Sequence, residues 1–81
     1  MMELNENYYK TSDLSLVSAL SLYFPIELLE TVDNRKIFFV FKKTQELENL
    51  IGMYWDGDLR VEPQQFFNQL KVIKTRIYSQ Q

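Results

Sequence analysis

The chain has 81 residues, enough for one domain and too few for two. Apolar residues make up 46% of it and aromatics 15%, so rings can build a core without covalent staples; the lack of cysteine excludes disulfides, zinc-thiolate sites and thiol nucleophiles. The net charge of −2 hides an asymmetry: residues 1–34 set Glu3, Glu6, Asp13, Glu27, Glu30 and Asp33 against Lys10, while bases outnumber acids in residues 35–81, which points to a two-faced surface.

The opening MMELNENYYK lacks the basic-then-apolar order of a signal peptide. The longest apolar-leaning stretch, LSLVSALSLYFPI, is broken by serines and a proline and falls short of the roughly 20 residues of a membrane span. A soluble cytoplasmic protein with no membrane partner is the expectation. No repeat, linker or low-complexity tract divides the chain, so residues 1–81 read as one domain with an ordered core over about 7–79.

In chain order, Asn7–Ser12 reads as a short strand. Ser12 or Asp13 then caps a helix opening at Leu14, whose apolar face takes Leu14, Val17, Leu20 or Ala19, and Leu22 with Tyr23; Ser15, Ser18 and Ser21 fall off that face, and Pro25 ends the helix. Two β-rich runs, Glu27–Val32 and Lys36–Lys42, flank a turn at DNR. In the second run Ile37, Phe39 and Phe41 alternate with Phe38 and Val40, and a strand apolar on both faces is expected to be central and covered on both sides. The sheet order is then 1-3-2, with the outer strands parallel and the first helix crossing between them.

Thr44 caps a second helix with Leu47, Leu50, Ile51, Tyr54 and Trp55 at amphipathic spacing. Gly52 stands inside it at a cost of about 1 kcal/mol relative to alanine, and close approach by another backbone is one reason to accept that cost. In YWDGDLRVEP, Gly57 suits a left-handed helix end and Pro63 a helix start, with Leu59 and Val61 pinning the corner between them. A third helix runs to about Ser79 with Phe66, Phe67, Leu70, Ile73 or Lys74, Ile77 and Tyr78 on one face. The fold class is therefore α+β: a single small domain, β-α-β-β-α-α, with a three-stranded sheet packed against three helices.

Chemistry is thin. Asp56, Asp58 and Glu62 depart early from the spacing of a calcium loop, and two turn aspartates are the simpler reading, so no metal or cofactor is expected. Histidine is absent too, which leaves nucleophilic catalysis without its usual base; no catalytic residue is assigned and the chain is not expected to be an enzyme. The aromatic load strains what a small core hides, and Tyr8, Tyr9, Tyr23 and Phe24 are the rings expected to be least buried; with Lys10 they form a candidate surface for another protein or a second copy of the chain. The alternative is nucleic acid on Lys71, Lys74 and Arg76 of the last helix, joined by Arg35, Lys36, Lys42 and Lys43; the acidic pI and the habit of amphipathic helices to carry lysines outward weigh against it.

YYKTSDL at 8–14, IFFVF at 37–41 and YWDGDLRVEPQQF at 54–66 together resemble a small uncharacterised prokaryotic domain family. Its members open on Tyr-Lys-Thr-Ser-Asp-Leu, carry a Phe-x-Phe strand, and show Trp or Phe, a polar residue, Gly, x, Leu, x, Val, x, Pro before the last helix. The resemblance covers about Tyr8 to Tyr78 and implies a small stand-alone prokaryotic domain, with relatives on mobile elements. The function of the family is unknown, so no binding or catalytic residue is carried over. Lys10, Thr11, Ser12 and Asp13 belong to the signature, read either as strand end and helix cap or as a polar contact surface at the junction.

Overall fold

The computed structural model describes residues 7–33 and 36–80. Its elements are β1 (Tyr8–Thr11), α1 (Leu14–Leu20), β2 (Leu28–Val32), β3 (Lys36–Lys42), α2 (Gln45–Asp56) and α3 (Pro63–Gln80). This is the expected α+β order, and the sheet order β1-β3-β2 is also as expected. Both outer strands run antiparallel to β3, so they are parallel to each other and α1 lies in the crossover between them.

α1 is shorter than its pattern implies. Asp13 caps it, its carboxylate accepting from the Leu16 amide at 3.1 Å. Regular helix stops at Leu20, and the chain tightens into bonds from Leu22 to Ala19 and from Tyr23 to Leu20 before reaching Pro25. The residues of α1 from Leu16 to Leu20 are all buried, Ser18 among them, because the helix is enclosed between the sheet and the other helices. The Ser18 hydroxyl is satisfied by donating to the Leu14 carbonyl at 2.7 Å, so this serine sits inside the core rather than off its face as its spacing had implied.

The register of β3 sorts the sheet into two faces. Ile37, Phe39 and Phe41 point inward with Tyr9, Thr11, Leu29 and Thr31. That inner face carries the core, in which Phe39 and Phe41 pack with Leu16, Val17 and Leu20 of α1, Leu47 of α2 and Ile73 of α3. Phe38 and Val40 point outward with Tyr8 and Lys10 of β1 and Leu28, Glu30 and Val32 of β2, and none of these belongs to the core cluster. β3 is central as expected; the three helices all pack on its inner face, so among the described residues no helix covers the outer one, although Val40 there is buried. Asp33 takes the left-handed conformation foreseen for the hairpin turn, with φ of 57°; Asn34 and Arg35 lie outside the described residues.

The corner after α2 is built as its residues imply. Thr44 accepts from the Leu47 amide at 3.1 Å to open α2. Gly57 closes it at φ of 78°, with its amide bonded to the Tyr54 carbonyl and the Asp58 amide to the Met53 carbonyl, the paired bonds of a left-handed helix end. Leu59 and Val61 are half-buried while Arg60 and Glu62 are exposed. Arg60 donates to the Gly57 and Leu59 carbonyls, and the Glu62 carboxylate accepts from the Gln65 amide at 2.8 Å, one turn into α3.

Three rings expected on buried helix faces are exposed instead. Trp55 is 63% exposed, Phe67 56% and Tyr78 73%. On α3 the inward stripe is Phe66, Leu70, Ile73 and Ile77; at about 100° per residue, Phe67 and Tyr78 fall roughly 120–140° from Ile73 and clear the core.

Candidate interaction surface

On the outer face of the sheet apolar and basic side chains meet. Val40 lies at its centre, flanked across the ladders by Lys10 and Leu28, and is 2% exposed although no helix among the described residues packs on this face. The Phe38 ring is the next residue along this face. Lys10 reaches over β3 from β1 to β2, its Nζ 2.8 Å from Glu30 Oε1 and 5.2 Å from the centre of the Phe38 ring. Lys36 Nζ approaches the same ring at 5.9 Å. Two ammonium groups thus lie within cation–π reach of one ring.

Around this centre lie Tyr8, beside Lys42 on the β1 edge, and Leu28 on β2, 51% exposed. Lys36 and Lys42 stand exposed at opposite ends of β3. Lys10 and Glu30 neutralise each other, so among the described residues the charge left on the face is the two terminal lysines. An apolar middle with a charged rim is the usual anatomy of a protein-binding patch.

The five residues expected to form the interaction surface separate. Tyr8 is exposed and Lys10 is on the outer face, although Lys10 is engaged with Glu30 rather than free. Tyr23 is exposed in the turn after α1. Tyr9 and Phe24 are half-buried and packed on the core, so the expectation that they are among the least buried is corrected. For Tyr9 the reason is register: it faces inward opposite Phe41. Burial pushes its phenol above the usual value; hydrogen bonding with Thr11 works against that shift, and the Asp13 carboxylate adds to it.

Lys71, Lys74 and Arg76 are all exposed on α3. Lys71 and Lys74 lie on the flank that also carries Phe67, with Lys71 Nζ 4.9 Å from its ring. Arg76 falls on the opposite flank of the buried stripe, about 160° round the helix from Lys74. The three do not make one patch, and Lys36 and Lys42 belong to the sheet. Among the described residues no group of three or more His, Cys, Asp or Glu side chains is placed to hold a metal ion. No helix among them is long and apolar enough to cross a membrane.

Leu28, Lys36, Phe38, Val40 and Lys42 were not legible as a surface from sequence. The available signal was β3 itself, whose second apolar face needs a cover; which side the helices take is not encoded in that alternation.

A family described as a domain of unknown function (DUF5659) matches residues 6–79, in keeping with the resemblance drawn from the YYKTSDL, IFFVF and YWDGDLRVEP segments. No curated protein and no solved structure matches the chain.

Proposed function

The chain belongs to DUF5659, a family of unknown function, and we propose that it is a non-catalytic module that binds another protein through the outer face of its sheet. The observation that carries this reading is the apolar strip of Phe38, Val40 and Leu28 between Lys36 and Lys42, on the sheet face away from the described helices, with Leu28 51% exposed. A sheet with two apolar faces and helices on one of them is a layer short, and a partner element supplies the missing layer. The lack of histidine and cysteine supports a binding role over catalysis, and the cysteine-free composition suits the cytoplasm of a prokaryotic cell.

The test is capture by immobilised chain from nuclease-treated lysate, comparing wild type with Leu28→Glu on the open face and Lys74→Glu on α3. A protein partner retained by wild type and Lys74→Glu and lost from Leu28→Glu, at unchanged melting temperature, is the expected result. Retention by Leu28→Glu would sink the reading. A catch that vanishes with nuclease and weakens steeply with salt would transfer the function to nucleic acid.

A further inference from the structure

Gly52 is the residue for which the fold itself gives no reason. It stands in the interior of α2 without a positive φ, where glycine is a cost to the helix. A Cβ at this position would meet nothing within 4 Å, so no part of the chain approaches closely enough to require its absence. The gap faces outward. On the same face Glu48 and Asp56 stand one turn before and one turn after the glycine, with Trp55 beside it, and all three are exposed. Met53 adjoins them, 41% exposed. Residues 45–56 contain acids and no base. α2 therefore presents an acidic strip with apolar side chains and a notch in its middle.

The outer sheet face has the complementary features. Its apolar centre holds Phe38, partly buried, and Val40, with Leu28 exposed beside them, and Lys36 and Lys42, which make no ion pair among the described residues, are positive. Lys36 and Lys42 stand six steps apart on β3, roughly 20 Å, and Glu48 and Asp56 eight steps apart on α2, about 12 Å, a difference that the long lysine side chains take up.

Resting on the reading of the sheet face as a docking surface, we propose that its occupant is α2 of a second copy of this chain. Gly52 gives the Phe38 ring room to enter, Trp55 and Met53 cover the apolar strip, and Glu48 and Asp56 lie along the lysines. α2 packs Leu47, Leu50, Ile51 and Tyr54 on its own core, against the inner side of the sheet. The two surfaces are thus separate patches on each copy, and the contact is head to tail, so the assembly grows with concentration or closes into a ring.

Charge exchange tests this directly by sedimentation velocity over a wide range of concentration. Wild type is expected to associate as concentration rises. Lys36→Glu with Lys42→Glu in one chain, and Glu48→Lys with Asp56→Lys in another, are each expected to stay monomeric, and an equimolar mixture of the two to associate again. Gly52→Leu is expected to weaken association roughly tenfold or more while its melting temperature holds or rises. A wild type that stays monomeric throughout overturns the proposal. So does a mixture of folded variants, verified by circular dichroism, that does not associate. A monomeric wild type that still loses its captured protein on Leu28→Glu overturns self-association alone and leaves the sheet face as a site for a different partner.

Discussion

β3 presents two faces of nearly the same chemistry to two different environments. Ile37, Phe39 and Phe41 lie under three helices, and Phe38 with Val40 lies under none. Apolarity of a strand face thus states a need for cover without stating who meets it. On the inner side three helices meet the need; on the outer side Val40 is buried and Phe38 partly buried with no described helix over them. The difference between structural and functional aromatics in this domain is which side of one strand they occupy.

The sharpest break of that comparison is to truncate one ring on each side. Phe39→Ala should destabilise the domain by about 3–5 kcal/mol through cavity formation, enough to leave so small a domain largely unfolded in a urea titration. Phe38→Ala should cost only about 1–2 kcal/mol, because a partly buried ring outside the core cluster loses less burial. Equal losses would mean that the outer face is as much core as the inner one. Next in size is the Lys10–Glu30 bridge across the outer face. A double-mutant cycle with Lys10→Ala and Glu30→Ala should return a coupling of about 0.5–1 kcal/mol that falls in high salt.

The smallest effect belongs to the inner face at high pH. The raised pKa of Tyr9 means that the fold favours the neutral phenol. Its contribution is full below the unfolded value near 10 and is lost as pH rises from there through the folded value. Wild type should therefore lose more stability than Tyr9→Phe between about pH 8 and about pH 10.5, read as the shift in urea midpoint. Parallel curves would place the Tyr9 hydroxyl in water.

Elements with short-range causes were legible from residues alone. Thr44, Gly57 and Pro63 act through backbone geometry within a few residues, and each occupies the position its chemistry implies. The alternation in IFFVF identified β3 and made it central. The errors arose where a residue answers to something distant in sequence. Ser18 is buried because the fold encloses α1, and Tyr9 because it pairs with Phe41 on the inner face. Trp55, Phe67 and Tyr78 are apolar residues close to the helix stripe that fall on the wrong side of the contact once α2 and α3 are set down.

By itself, then, the sequence determined the elements, their order, the corner and the centrality of β3, since propensity, capping and periodicity act within a turn or a strand pair. Only the tertiary structure decided that all three helices gather on one face, and with that which aromatics are core, which lysines share a surface, and that the notch at Gly52 opens to solvent. Those outcomes depend on how a fixed apolar area is shared among elements far apart in the chain, and no local pattern encodes that division.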